Sequence, residues 1–323
     1  MSRELRPLRI WAVSDGRAGI ESQALGLAEA VARRRPAHIA IKRIGWRWGL
    51  GRLPWRLIPP AAAMGDPIGP PWPDIWIATG RATLPLSTRI LSWSGGKTFV
   101  VQTQDPKASL DRFDLVVAPV HDRLEGANVV SIVGAPSRIT PESLQLAHDR
   151  LAGRLNPLPS PRIAVIVGGR SKAHDLPPDL ARNLAEQITE AVKVAGGSLL
   201  VSFTRRTPPD ARAAMARVFA ESPGWIWDET GENPYFAFLS AADAILVTED
   251  STNLATDAAA TGKPLFVLPM KGRSPKLARF HAELAARGVA RPFAGAFTAP
   301  PYERLAETDR AASELLLRYD GQP

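Results

Sequence analysis

The chain has 323 residues, 45% hydrophobic and 22% charged, a balance that excludes a disordered protein and, at this length, predicts two domains of roughly 150 residues. Cysteine is absent, which excludes disulfides and thiolate chemistry, and the net charge of +8 favours an anionic partner such as nucleic acid, anionic lipid or a phosphorylated small molecule. The first nine residues carry three arginines and no apolar run suited to a signal sequence. No apolar stretch of about 18 residues occurs elsewhere, so a cytoplasmic location is expected.

In chain order, Arg9–Val13 reads as a strand and Gly16–Gly19 as a turn. Ser22–Arg34 has Ala24, Leu25, Leu27, Ala28 and Val31 at helical spacing. Ala37–Ile44, Asp74–Ala78, Thr98–Gln102 and Leu115–Ala118 are further strands, with a helix from Thr83 through Leu91. Strands alternating with helices predict parallel sheets. A helix over Pro141–Arg154 leads into the proline-rich Asn156–Pro161, which reads as a linker. The pattern then restarts with strands at Arg162–Val167, Ser198–Phe203, Gly224–Asp228, Ala244–Thr248 and Pro264–Leu268. Helices are expected at Leu180–Ala195, where Gly196-Gly197 supplies the stop, at Asp210–Phe219 and at Asn253–Thr261. A final amphipathic helix spans Glu303–Tyr319. The expected domains are residues 1–155 and 156–300, with 301–323 packing back on either one.

Ligands of open parallel sheets sit beyond the carboxyl ends of strands, and four such ends carry polar residues here. At the first, Thr248, Glu249, Asp250, Ser251, Thr252 and Asn253 enter a helix whose unsatisfied N–H groups suit phosphate, with Asp257 placed to meet ribose hydroxyls. Ordinary helix capping explains the same hydroxyls. At the second, Gly168 and Gly169 allow close backbone approach and Arg170 and Lys172 can neutralise phosphate, although a plain glycine turn fits equally. Ser202–Arg206 adds Thr204 with the basic Arg205 and Arg206 to the same side of the sheet at the next strand end, although an exposed basic loop also explains them. In the first half, Asp15, Gly16, Arg17, Glu21 and Gln23 form one loop, and Thr79, Gly80 and Arg81 another; both could face an acceptor.

Lys42 to Pro60 interleaves tryptophan and arginine, a mixture suited to the headgroup region of an anionic bilayer, to nucleic acid, or to indoles packed as core. The five histidines have no metal-ligand spacing, so no metal site is expected.

Ser14–Gly19 with Gln23, Thr79-Gly80-Arg81, Gln102–Pro106, Gly168-Gly169 and Thr248–Ser251 together resemble a bacterial member of the family named for the plant elongated-mitochondria fission factor. The same positions are similar to GT-B glycosyltransferases, notably the peptidoglycan N-acetylglucosaminyltransferase and lipid A disaccharide synthase. That resemblance implies an α/β, GT-B-like fold of two Rossmann-like domains with parallel sheets facing across a cleft. It implies Asp257 as the ribose-binding acid, Ser251 and Thr252 at the phosphates, and Gly168-Gly169 as the glycine loop opening the second domain. Aligned through Ala24–Ala30, the candidate catalytic histidine of the peptidoglycan enzyme falls on Ile20, which leaves Asp15 and Glu21 as the nearest candidate bases.

The expected function is inverting, metal-independent transfer of a sugar from a nucleoside-diphosphate sugar, uridine-linked, to a lipid or envelope-glycan acceptor at the cytoplasmic membrane face. The sugar nucleotide is the donor substrate, and no cofactor is expected. The alternatives are a non-catalytic membrane-associated adaptor and a nucleotide-sugar epimerase. A nucleic-acid binder is disfavoured because the basic residues are spread over loops without a recognition module.

Overall fold

The computed structural model describes residues 6–321; the first five, on which the signal-sequence reading partly rests, and the last two lie outside the described residues. The chain forms two units, one of Met1–Arg138 with Ala306–Pro323 and one of Ile139–Leu305.

The first unit begins with β1 (Leu8–Ser14), α1 (Ala18–Ala32), β2 (Ala37–Trp46) and β3 (Ala63–Gly65). It continues with β4 (Ile75–Thr79), α2 (Leu84–Trp93), β5 (Phe99–Thr103), β6 (Leu115–Pro119) and β7 (Val129–Ile132). These strands order as β3-β2-β1-β4-β5-β6-β7, parallel throughout except for β3, which runs antiparallel to β2. Every residue of β4, β5 and β6 is buried, so these strands read as mostly apolar runs instead of alternating ones, with Thr79, Gln102 and Thr103 as buried polar residues at their carboxyl ends. One face of the sheet packs Leu8, Ile10 and Ala12 with Leu27 and Val31 of α1. The other packs Val13, Trp76 and Val100 with Leu86 and Ile90 of α2.

The second unit opens with α3 (Pro141–Leu155), fixed by a reciprocal capping box between Thr140 and Ser143. There follow β8 (Arg162–Val167), β9 (His174–Asp175), α4 (Pro178–Ala195), β10 (Ser198–Phe203), α5 (Pro209–Phe219) and β11 (Gly224–Ile226). Next come α6 (Tyr235–Ala241), β12 (Ala244–Thr248), α7 (Thr252–Ala259), β13 (Leu265–Leu268), β14 (Lys271–Gly272), α8 (Pro275–Ala286) and β15 (Ala290–Pro292). The main sheet is parallel, in the order β11-β10-β8-β12-β13-β15, and β9 pairs with β14 as a separate antiparallel ribbon. Leu184, Ile188 and Val192 of α4 pack on Ile163, Val165 and Leu199, and Gly196 ends the helix in the left-handed conformation.

The division at Arg138–Ile139 lies one helix upstream of Asn156–Pro161, because α3 packs against α6 of the second unit. Asn156–Pro161 is therefore an internal connection from α3 to β8. The last helix, α9 (Glu307–Asp320), belongs to the first unit, where Ala311, Ala312 and Leu315 join the core against α1. Its Asp309 accepts ion pairs from Arg33 and Arg34 at 3.1 and 2.9 Å.

Strand order adds what a linear reading lacks. In the first unit β2 lies on one side of β1 and β4 on the other. In the second, β10 and β11 lie on one side of β8 and β12 on the other. The winding reverses between β1 and β4 and between β8 and β12, and crevices for ligands open at the carboxyl ends of such pairs. Ser14 and Thr79 end the first pair; Val167 and Thr248 end the second.

Candidate functional site

At the β8/β12 reversal the loops lock together around one carboxylate. Asp250, its side chain wholly buried, accepts the Thr248 hydroxyl at 2.7 Å, the Gly169 N–H at 3.1 Å and an Arg206 guanidinium N–H at 2.6 Å. The Thr248 hydroxyl oxygen in turn accepts the Gly168 N–H at 2.7 Å, and the Arg170 N–H donates to the Arg206 carbonyl at 2.8 Å. Both glycines are required by close approach. A Cβ on Gly168 would lie 2.2 Å from Asp250 Oδ1, and one on Gly169 would lie 2.0 Å from the Arg206 carbonyl oxygen. The glycine loop thus turns its amides to Thr248, Asp250 and Arg206, so its work is to weld three strand ends together. Thr207 completes the weld by donating to the Val167 and Gly168 carbonyls at 3.0 and 2.5 Å.

What the weld presents is the start of α7. Ser251 caps it by accepting the Leu254 N–H at 3.4 Å, and Thr252 and Asn253 are half-buried beside it. Asp257, one and a half turns on, is half-buried and accepts the Tyr235 hydroxyl at 3.1 Å. Burial, reinforced by the Asp257 charge, raises the Tyr235 pKa and keeps the phenol a donor. Arg170 pairs with Asp175 at 2.9 Å on the surface, and Lys172 is exposed. Thr204 accepts the Arg206 N–H at 3.4 Å, while Arg205 is exposed. Glu249 is braced at both ends: its carboxylate accepts the Met270 N–H at 2.6 Å, and its carbonyl lies 2.9 Å from His281 Nε2.

The β1/β4 reversal in the first unit is built differently. Asp15 and Arg17 pair within their own turn at 2.6 Å, and Gly16, at φ +76°, donates to Ser14 Oγ at 3.1 Å. Both oxygens of Glu21 are taken by Arg43, at 2.6 and 2.9 Å, and that guanidinium lowers the Glu21 pKa. A carboxylate held so firmly ionised is a weak proton acceptor. Gln23 is buried and accepts the Gln104 amide at 2.9 Å. Thr79 shares a 2.6 Å hydrogen bond with Thr103; Gly80, at φ +87°, accepts the Thr83 hydroxyl at 2.8 Å; exposed Arg81 donates to the Leu53 carbonyl.

A family model described as mitochondrial fission ELM1 matches residues 18–319. The chain belongs to this family. It is 31% identical over 281 residues to the mitochondrial fission protein ELM1 of Arabidopsis thaliana, covering 76% of this chain and 65% of the plant protein. The chain therefore spans slightly under two thirds of that relative's length. An uncharacterized Rickettsia prowazekii protein is 24% identical over 331 residues, with 88% and 90% coverage. Among solved structures, UDP-GlcNAc 2-epimerase of Methanocaldococcus jannaschii, in complex with UDP-GlcNAc and UDP, has a TM-score of 0.53 at 12% identity, covering 96% of this chain and 99% of that one. The Neisseria meningitidis enzyme bound to UDP-GlcNAc scores 0.51 at 12% identity, with 97% and 93% coverage. The fold of this ELM1-family chain is α/β and GT-B-like, with two Rossmann-like units.

Several contributors to this candidate site escape a linear reading. Arg206, and not the neighbouring Arg205, reaches Asp250. Arg43 holds Glu21 from the adjacent strand, and Tyr235 meets Asp257 from a helix unpredicted by spacing. His281 has a buried Nδ1 without a hydrogen-bond partner, and burial lowers its pKa. Only the repeated basic pair Arg205-Arg206 carried a usable signal; the others converge through topology.

Proposed function

We propose that this protein binds a nucleoside-diphosphate sugar, uridine-linked, at the β8/β12 reversal and transfers the sugar to a lipid or envelope-glycan acceptor at the cytoplasmic face of the membrane. The observation that carries this reading is the buried Asp250 weld, which sets the start of α7 and the Asp257 carboxylate in fixed register at a strand-order reversal. Donors fixed in advance lose little freedom when an anion arrives, and a helix start favours phosphate. Lys172 and Arg205, both exposed, supply further positive charge for the departing diphosphate. Asp257 is positioned for ribose once it exchanges or shares its Tyr235 bond. Asp15 and Glu21 are the acceptor-side carboxylates, with Gly16, Arg17, Gln23, Thr79, Gly80 and Arg81 shaping that end of the first unit. The chemistry requires no cofactor.

Calorimetric titration with UDP and with a panel of nucleoside-diphosphate sugars tests the reading. Saturable binding that disappears in Asp257→Ala supports it, and no saturable heat with any nucleotide sinks it. One observation favours a second reading. Both candidate bases are already ion-paired, as befits a non-catalytic adaptor that retains the pocket. Binding without product on any lipid acceptor would select the adaptor, whereas an altered sugar nucleotide formed with no acceptor present would select an epimerase.

A further inference from the structure

The connection from β2 to β4 departs from the usual helical crossover of parallel strands. It consists of three short 3-10 turns, Arg47–Arg52, Trp55–Leu57 and Pro60–Ala62, followed by β3. The segment is nevertheless firmly seated. Ile58 and Ala62 are buried, Trp55 packs on the sheet core, and the Trp46 indole donates to the Ala82 carbonyl at 3.0 Å. From this seated base Trp48, Leu53, Leu57 and Met64 project, and Trp48 is 84% exposed. Trp48 also holds a left-handed backbone, φ +52°, which a bulky side chain adopts at a cost. Between Lys42 and Gly65 the chain carries Lys42, Arg43, Arg47, Arg52 and Arg56 and no acidic residue.

We propose that this crossover is the membrane-docking element, with Trp48, Leu53 and Leu57 entering the headgroup region of an anionic bilayer while Arg47, Arg52 and Arg56 meet lipid phosphates. Exposed aliphatic side chains flanked by arginines match the boundary between headgroups and acyl chains. They offer nothing to a nucleic acid, whose recognition would use the indoles and arginines alone. The inference rests on the peripheral placement proposed above and on none of the nucleotide chemistry.

The test is co-sedimentation of the full chain with vesicles of phosphatidylcholine containing about one third phosphatidylglycerol, against phosphatidylcholine alone, without nucleotide. Binding to the anionic vesicles that weakens with salt is expected. Trp48→Asn suits the left-handed backbone, so it removes the indole without unfolding the turn, and with Leu57→Gln it is expected to reduce partitioning by about tenfold or more. Arg52→Gln and Arg56→Gln should each weaken it about fivefold. No binding by the unaltered chain, equal binding by the Trp48→Asn/Leu57→Gln variant, or displacement from vesicles by equimolar single-stranded RNA would each overturn the proposal. Since sedimentation is read without nucleotide and calorimetry without lipid, failure of one leaves the other standing.

Discussion

The two strand-order reversals of this molecule handle charge in opposite ways. In the second unit the charge is internal: Asp250 is fully buried and held by a hydroxyl, an amide and a guanidinium. In the first unit the buried groups are neutral, Thr79 with Thr103 and Gln23 with Gln104, and the ion pairs lie nearer water, with the side chains of Arg43 and Arg17 60% and 55% exposed. A buried carboxylate with all its partners fixes geometry, at the cost that no partner can be spared. A neutral buried row with charges outside tolerates change. The contrast implies that the second unit's reversal is a rigid frame and the first unit's is an adaptable one.

The sharpest way to break the contrast is Asp250→Ala. It leaves Arg206 and the Gly169 N–H without their partner, so a loss of about 3 kcal/mol is expected in urea unfolding, with nucleotide binding abolished. Gly169→Ala should act similarly, since its Cβ would press on backbone 2.0 Å away. If Asp250→Ala costs less than about 1 kcal/mol, the rigid-frame reading fails.

Lys263 extends the theme of interior charge. Its ammonium donates to the Leu239 carbonyl at 2.9 Å and to the Ser240 carbonyl, and burial lowers its pKa to about 8. In the unfolded chain the proton is held up to the ordinary lysine value, about 10.4. Between these two values the unfolded state binds more protons, so stability rises with pH at up to about 1 kcal/mol per pH unit. The stability difference between the unaltered chain and Lys263→Met, followed from pH 7 to 10, should carry that slope; a flat difference would remove Lys263 from the comparison.

Thr79→Val probes the neutral row. It keeps the shape and strands the Thr103 hydroxyl, for an expected cost of about 1–2 kcal/mol. Calorimetric affinity for nucleotide should stay unchanged, because the change lies in the other unit. A lowered affinity would mean that the two reversals are coupled.

Legibility in the sequence follows the same division. Strands such as Arg162–Val167 and Ala244–Thr248 were readable because the burial of Ile163–Val167 and Ala244–Thr248 goes with nearly unbroken apolar runs, and the helix stop at Gly196 because a left-handed residue is required there. β7 and β15 were not, being edge strands of four and three residues, too short to show a period. Neither were α6 and α8, whose aromatic and charged residues obscure helical spacing. Of the site, the four strand ends could be located, but not their pairing, since strand order is a tertiary property. Arg206 was visible as part of a basic pair at a strand end, but its partner was not, since it reaches from a loop to a residue on a different strand end; Arg43 was hidden altogether, reaching across from β2 to a residue 22 positions earlier.

The smallest expected effect concerns Glu21. Its bond to Arg43 is bidentate, but the guanidinium is more than half exposed, so solvent screens the pair and its contribution at neutral pH is expected to be small. Because Arg43 lowers the Glu21 pKa in the folded chain, this contribution is present above the ordinary glutamate value, about 4.3, and is lost as pH falls through the folded value beneath it. A double-mutant cycle of Glu21→Gln and Arg43→Gln, measured by urea unfolding at pH 7 and again below the ordinary glutamate range, should show coupling that shrinks on acidification. Coupling at pH 7 as strong as that between Asp250 and Arg206 would make this pair a fixed element too, and the first unit would then be as rigid at its reversal as the second.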